Sequence, residues 1–195
     1  MSEPRRCWSS ADPAYVEYHD HEWGRPVTDE RGLYERLCLE GFQSGLSWLT
    51  ILRKRPAFRA AFADFDPEAV AEFGPRAVER LLGDAGIVRH RGKIEAAIAN
   101  ARATLALREA GSSLPELVWL HRPADGGAPR TAADWQASTP ESAALSKRLR
   151  AAGFRFVGPT TVYATMQACG VVNDHLADCI VRAEVEREIA CSTTV

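Results

Sequence analysis

The chain has 195 residues, a net charge of −2 and an apolar share of 46%, which fits one domain with a packed core, or one with a small appendage. No apolar run approaches the roughly 20 residues that a membrane-spanning helix needs, and residues 1–6 lack the apolar region of a signal peptide, so we expect a soluble cytoplasmic protein. The small net charge excludes a basic field over the whole surface, although a local basic cluster can still bind phosphates.

Helical patterns follow one another along the chain, and no segment is typical of a strand. Most patterns begin with a residue that suits a helix N-terminus, either a capping Asp, Ser or Thr or a proline in the first turn. The pattern from Gly92 to Ala110 is marked by its apolar spacing and by Gly111 after it. The sequence therefore predicts an all-α domain of short helices. The helices are predicted after Asp29 and Ser47, at Pro67 and Pro75, from Gly92 to Ala110, and at Pro140 and Pro159, with a surface loop over 121–130.

Four potential metal ligands lie in two pairs near the two ends of the chain, Cys7 with His19 and His175 with Cys179. The i,i+4 spacing of the second pair predicts that both side chains lie on one face of a helix. If all four meet, they form the closed Cys2His2 tetrahedron of a structural zinc site. Spacing alone leaves open the alternative that they are ordinary core or surface residues. The five cysteines leave one unpaired in any disulfide scheme, so a reducing compartment suits them.

The segment between the fourth and fifth predicted helices contains glycines and positive charges. Gly86 and Gly92 allow a tight turn and close backbone approach, and the N–H groups at the start of the next helix can bind phosphate. Arg89, Arg91 and Lys93 add local positive charge. The alternative is a surface helical hairpin with solvated basic residues.

A carboxylate and a tryptophan, Glu40 and Trp48, flank a second glycine-containing junction. An acid beside aromatic rings suits a planar cationic ligand, and burial would perturb the pKa of Glu40. The alternative is a solvated glutamate beside a core tryptophan. Further aromatic residues near His19, which either pack in the core or line a base-stacking pocket, are Trp8, Tyr15, Tyr18 and Trp23.

Six motifs occur in one order and together closely resemble the DNA-3-methyladenine glycosylase I family. The resemblance covers roughly residues 5–180, and residues 181–195 are interpreted as a C-terminal tail. The motifs are Tyr18–Gly24, Glu40–Trp48, Ala85–Ile94, Phe156–Thr160, Met166–Ala168 and Val172–His175.

The resemblance implies an all-α fold of the helix-hairpin-helix glycosylase superfamily, with residues 1–180 as one domain whose N- and C-terminal segments form a zinc-stapled lobe. It implies one structural zinc ion, Glu40 as the catalytic residue, and a loop that fills the gap left by a flipped nucleotide. Family members often have one residue between the first cysteine and the tryptophan that follows it, whereas Cys7 and Trp8 are adjacent in this chain. The match to the family pattern is therefore weaker at Trp8 than at Cys7. The implied zinc ligands are Cys7, His19, His175 and Cys179; the base pocket is Tyr18, Trp23, Trp48 and Trp8; the DNA-binding residues are Gly45, Leu46, Gly86, Arg89, Arg91, Gly92 and Lys93.

The implied activity is hydrolysis of the N-glycosidic bond of N3-methyladenine in double-stranded alkylated DNA, after base flipping. N3-methyladenine carries a positive charge and is an activated leaving group. Residues 40–48 contain no lysine that could serve a lyase reaction, so a monomeric, monofunctional enzyme that leaves an abasic site is expected. The alternative is a non-catalytic, zinc-stapled module that binds damaged or branched DNA.

Overall fold

The structure is a computed structural model that describes residues 5–124 and 127–192. Its described residues contain ten α-helices and no strand beyond one isolated bridge between Arg5 and Cys179, which confirms the all-α prediction. No helix in this part of the chain is long and apolar enough to cross a bilayer. The helices are α1 Pro13–His21, α2 Glu30–Gln43, α3 Trp48–Ala61, α4 Pro67–Ala71, α5 Pro75–Gly83, α6 Arg91–Glu109, α7 Leu114–Trp119, α8 Pro140–Ala151, α9 Pro159–Ala168 and α10 Arg182–Ser192, with short 3₁₀ turns at Ala63–Phe65 and Ala132–Asp134.

The predicted N-terminal caps are confirmed. The Asp29 carboxylate accepts the N–H of Gly32 at 2.8 Å, and the Ser47 hydroxyl accepts the N–H of Thr50 at 3.3 Å. Each cap satisfies one of the N–H groups that a helix leaves unpaired in its first turn. The cap of α6 was not predicted: it is His90, whose Nδ1 accepts the N–H of Lys93.

Three helices were not predicted from the sequence, namely α1, α7 and α10. The tail predicted over 181–195 contains α10, whose Val185 and Ile189 are buried in the core, while residues 193–195 lie outside the described part. Arg25 bonds to Glu184 and Glu188 and joins α10 to the segment after α1. The loop predicted over 121–130 is irregular where it is described, and residues 125 and 126 lie outside that part.

Helix α2 is the centre of the domain, and α3, α6, α7 and α9 pack around it. Every residue from Leu37 to Phe42 is buried, so the C-terminal half of α2 has no solvent-facing side. A helix that is buried all round is held by packing, not by an amphipathic stripe. Stacked rings of Phe42, Phe58, Phe62 and Phe65 fill the space between α2 and α3. Full burial of one such ring contributes about 2 kcal/mol.

Candidate active site and metal centre

The four predicted metal ligands converge in one buried cluster at the meeting point of the two chain ends. One donor atom from each of Cys7, His19, His175 and Cys179 lies within 4.8 Å of all the others. Cys7 Sγ and Cys179 Sγ both lie 3.4 Å from His175 Nδ1, and Cys179 Sγ lies 3.6 Å from His19 Nε2. A tetrahedron with zinc–sulfur and zinc–nitrogen bonds of ordinary length has S···N edges of about 3.5 Å. The donor set and its spacing therefore fit a four-coordinate metal ion.

The second nitrogen of each histidine is held by a neighbouring oxygen. His19 Nδ1 lies 2.7 Å from Asp20 Oδ1, and His175 Nε2 lies 2.9 Å from the carbonyl of Trp23. Such contacts orient a metal-binding imidazole and select its tautomer. Arg6 in turn binds the Asp20 carboxylate at 2.8 Å and fixes its position.

The prediction that His175 and Cys179 share a helix face is wrong, because both lie in the irregular segment between α9 and α10. Backbone turns bring the side chains together instead, and the N–H of Leu176 donates to Cys7 Sγ at 3.3 Å. The bridge between Arg5 and Cys179 then joins the start of the described chain to this segment, with the Ile180 N–H bonded to the Arg5 carbonyl.

Two of the predicted pocket tryptophans pack directly on the histidines of the cluster. The ring of Trp23 lies 4.6 Å from that of His175, and the ring of Trp8 lies 4.6 Å from that of His19. The two indole rings are 5.0 Å apart. A continuous aromatic layer therefore covers the cluster, and Trp135, which sequence reasoning missed, extends it at 6.1 Å from Trp23.

Glu40 is a buried carboxyl with 6% of its surface exposed. Among the described residues, no hydrogen bond or ion pair reaches its side chain. Burial raises the pKa of Glu40 to about 8, against a smaller opposing effect of the Arg36 charge. A buried acid without a partner is a candidate for function, since a structural role would require its oxygens to be satisfied.

Aromatic groups surround this carboxyl. The buried rings of Tyr18 and Trp48 lie 5.2 Å apart. Burial raises the pKa of Tyr18 and of Tyr15, and the negative charge of Glu40 adds to both shifts, so both phenols are close to the acid. The indole N–H of Trp48 and Nη1 of Arg36 are buried and have no hydrogen-bond acceptor among the described residues. The site thus offers ring faces, one unpaired acid and two unpaired donors.

A separate ion network explains why Arg36 does not neutralise Glu40. The Glu22 carboxylate accepts hydrogen bonds from the guanidinium of Arg36 at 2.8 Å and from that of Arg55 at 2.7 Å. Burial opposes ionisation of Glu22, but the bonds from Arg55 and Arg36 lower its pKa to about 2. The Arg36 guanidinium also lies 5.9 Å from the centre of the Tyr18 ring. Glu22 and Arg36 are site residues that sequence reasoning missed, although Glu22 lies within a quoted motif.

The predicted hairpin is present as α5, a turn over residues 84–90, and α6. At Gly86 an added Cβ would come within 2.9 Å of the Ala57 side chain, so the turn lies too close to α3 for any other residue. Arg89 is exposed and forms no ion pair with any described residue, whereas Arg91 is exposed and bonds to Glu79 at 2.7 Å.

Lys93 is not on the exposed face of the hairpin, so its predicted role in binding phosphate is corrected. It is buried, and its ammonium donates to the carbonyl of Phe42 at 2.9 Å and to that of Ser44 at 2.5 Å. These carbonyls end α2 and begin the loop that carries Gly45 and Leu46. Gly45 has a φ of +83°, and Leu46 is 43% exposed. Lys93 therefore anchors the base of this projecting loop.

Comparison with known proteins shows close relatives along nearly the whole chain. The family model for methyladenine glycosylase matches residues 8–183. The DNA-3-methyladenine glycosylase 1 of Escherichia coli (strain K12) is 52% identical over 178 residues, which is 89% of this chain and 95% of that protein. A crystal structure of 3-methyladenine DNA glycosylase I is similar with a TM-score of 0.87 and 50% identity, over 90% of this chain and 98% of the other. A second crystal structure is that of a tyrosine-to-phenylalanine variant of 3-methyladenine DNA glycosylase I in complex with 3-methyladenine. It is similar with a TM-score of 0.86 and 36% identity, over 91% of this chain and 97% of the other.

The raised pKa of Glu40 predicts a pH-dependent stability difference between the wild type and Glu40→Gln. Because the folded-state pKa of about 8 exceeds the ordinary 4.5, the stability that Glu40 contributes is complete below pH 4.5 and is lost as pH rises through 8. Glutamine does not titrate. Urea unfolding is therefore expected to show that the free energy of unfolding of the variant rises, relative to that of the wild type, by roughly 2–4 kcal/mol between pH 5 and pH 8.5. Glu72→Gln, at an exposed position, is the control and should show no such trend; a pH-independent difference for Glu40→Gln would contradict the burial argument.

The buried position of Lys93 predicts that Lys93→Met destabilises the loop at the end of α2. Two carbonyls lose a charged donor, which is expected to lower the free energy of unfolding by about 1–3 kcal/mol and to speed hydrogen exchange at the Leu46 amide. Arg89→Met, on the exposed face of the same hairpin, should leave both quantities unchanged. Equal effects of the two substitutions would show that Lys93 is not an anchor.

Proposed function

The chain belongs to the methyladenine glycosylase family, and we propose that it removes 3-methyladenine from DNA by hydrolysing the N-glycosidic bond. Its relatives carry the name DNA-3-methyladenine glycosylase, a hydrolase activity on N-glycosyl bonds. The observation that carries the proposal is the buried and unpaired carboxyl of Glu40 among aromatic rings, in a chain that covers 95% of a curated relative at 52% identity.

We propose that Glu40 contacts the flipped base and that Tyr18 and Trp48 stack on its ring. A base must leave the duplex before a protein can reach its glycosidic bond. The fixed positive charge of N3-methyladenine is attracted to a carboxylate and to ring faces. Since burial holds the pKa of Glu40 near 8, the arrival of this cation favours the ionised form, and the carboxyl releases its proton to solvent as the base binds. The unpaired N–H of Trp48 is available to an acceptor atom of the base.

The bond from the sugar C1′ to the base breaks with its electron pair passing to the base, which leaves as a neutral molecule. A water oxygen then bonds to C1′, and that water gives up one proton. The Glu40 carboxylate stabilises the cationic sugar while charge develops on it, and it is basic enough to take the proton afterwards. Neutralisation of the base removes its attraction to the carboxylate, which favours product release.

The aromatic layer that we assign to the rear wall of the pocket runs from the metal cluster towards Glu40. Trp23 contacts Trp8, and the ring of Trp8 lies 5.2 Å from that of Tyr15. Tyr15 in turn lies close enough to Glu40 that the carboxylate charge adds to the rise in the pKa of Tyr15 that burial causes. Trp8 and Trp23 thus support the pocket from the side of the cluster.

The DNA partner is proposed to be an alkylated duplex bound by a monomer, with the hairpin on its phosphate backbone. The N–H of Gly92 lies in the first turn of α6, where a helix favours anions. The N–H of Gly86 donates to the Asp84 carboxylate at 2.7 Å, so this glycine shapes the turn that leads to α6. Arg89 has no ion pair among the described residues and can pair with a phosphate, while Arg91 shares its charge with Glu79. Leu46, on its projecting loop, fills the gap left by the flipped nucleotide.

We propose that Cys7, His19, His175 and Cys179 bind one structural zinc ion, which staples the N- and C-terminal segments into a lobe. A site with four protein ligands has no open position for a reacting water, so the ion would supply structural stability and not catalysis. The buried free cysteines suit the reducing cytoplasm.

Release of free base from methylated duplex DNA tests the proposed activity. The wild type is expected to release 3-methyladenine, detected by chromatography, and Glu40→Gln to release it roughly 100-fold more slowly, with affinity for a duplex containing an abasic site unchanged. Glu72→Gln should be as active as the wild type. A wild type that binds the duplex but releases no base would instead identify a non-catalytic DNA-binding module.

The zinc proposal predicts that Cys179→Ser loses thermal stability and base excision together, because the cluster holds the layer on which Trp8 and Trp23 pack. Metal analysis of the wild type should find about one zinc per chain. Cys191→Ser, an exposed cysteine of α10 outside the cluster, is the matched control and should retain metal, stability and activity. Full activity in a zinc-free variant would refute the staple.

A further inference from the structure

We propose, on the basis of the proposed function, that Phe156 is a second apolar DNA contact, whose ring stacks on an exposed base of the opened duplex. It would act alongside Leu46, from a loop between α8 and α9 that lies beside the hairpin. The sequence analysis placed Phe156 in a motif of the resembled family and gave it no role.

Phe156 combines a strained backbone with an exposed ring, whereas Phe65, which has the same φ, is fully buried in the core. The Phe156 side chain is 42% exposed, close to the 43% of Leu46. Its φ of +55° lies in the left-handed region, where a bulky side chain is strained and glycine is not. Backbone strain of this kind persists only where the surrounding structure enforces it, and it concentrates at functional sites.

Two buried side chains enforce this conformation from either side. Asn100 of α6 accepts the N–H of Arg155 through Oδ1 at 2.7 Å and donates through Nδ2 to the Arg155 carbonyl at 3.2 Å. The hydroxyl of Ser146 donates to the carbonyl of Val157 at 2.5 Å. The chain is thus held on both sides of Phe156, while the aromatic ring itself is left partly in solvent.

The position of the ring is continuous with the proposed DNA-binding surface. It lies 6.2 Å from the ring of His90, the residue that caps α6. An added Cβ at Gly92 would lie 3.8 Å from the Phe156 ring, and one at Gly41 would lie 3.5 Å from its Cβ. Phe156 therefore sits between the start of α6 and the end of α2, the same two segments that Lys93 joins beneath the Leu46 loop.

Charge and chemistry at this position match an opened duplex. Arg155 and Arg89 are exposed, and neither side chain forms an ion pair within the described part of the chain. Arg155 precedes Phe156 in the chain. Arg89 precedes His90, whose ring lies 6.2 Å from that of Phe156. Both charges therefore suit phosphates near this apolar ring. Flipping one nucleotide exposes the faces of its neighbours, and aromatic side chains stack on such faces without requiring a particular base.

The experiment compares Phe156→Ala, Phe156→Tyr and Phe156→Gly with the wild type and with Leu120→Ala. Leu120 is an exposed apolar residue, at 69%, that ends α7. Fluorescence anisotropy measures affinity for a duplex with an abasic-site analogue, and tryptophan fluorescence measures affinity for free 3-methyladenine. Phe156→Ala and Phe156→Gly are expected to weaken duplex binding roughly tenfold while binding of the free base is unchanged. Phe156→Tyr and Leu120→Ala should bind like the wild type.

Thermal unfolding separates a DNA contact from a packing role. Glycine adopts the left-handed backbone without strain, so Phe156→Gly should unfold at or above the temperature of Phe156→Ala while it still fails to bind the duplex tightly. Wild-type duplex affinity in Phe156→Ala, or an equal loss of duplex and free-base binding, would overturn the inference. Failure of the proposed function has a different signature, which is a wild type that binds the abasic duplex but releases no 3-methyladenine.

Discussion

The burial of one unpaired carboxyl on α2 is the constraint around which this domain is organised. Glu40 lies where the helix has no solvent-facing side, and the nearby guanidinium of Arg36 is bound to Glu22. Removing an acid from water without a partner is costly and shifts it towards its neutral form. The stacked phenylalanines between α2 and α3 offset this cost through apolar burial. In the proposed function, the positive charge of the bound base supplies the partner that Glu40 lacks.

The cluster of Cys7, His19, His175 and Cys179 supports this site from outside. Its histidines carry the aromatic layer of Trp8 and Trp23, and that layer reaches Tyr15, which is close to Glu40. Helix α6 has the corresponding role on the other side, since Lys93 holds the Leu46 loop and Asn100 holds the backbone next to Phe156. In the proposed function, cluster and helix therefore have separate tasks: the cluster supports the base pocket, and α6 holds the segments that present apolar side chains to DNA.

Local signals in the sequence predicted most of the helices, because a cap such as Asp29 or Ser47 acts within one turn of its own position. Helix α1 was missed although it begins with the same Asp–Pro signal as α4, with the Asp12 carboxylate accepting the N–H of Ala14. It buries only Tyr18 and His19, so no apolar stripe marks it in the sequence. The convergence of the two Cys and two His residues was predicted. The irregular backbone of His175 and Cys179 was not, because i,i+4 spacing fits a helix as well as an irregular turn. Lys93 was misassigned for a related reason: a basic residue in a basic segment gives no sign that its ammonium is buried against two carbonyls.

The cluster also dictates the order in which the chain can fold. Cys7 and His175 are separated by 168 positions and yet touch, so their contact closes nearly the whole chain into one loop. Closing a loop of this length is entropically costly before local structure forms, and contacts between distant residues slow folding. During synthesis, the N-terminal ligands leave the ribosome long before Cys179 does. The central helices can therefore assemble first, and the four-residue cluster forms last, once Cys179 is available.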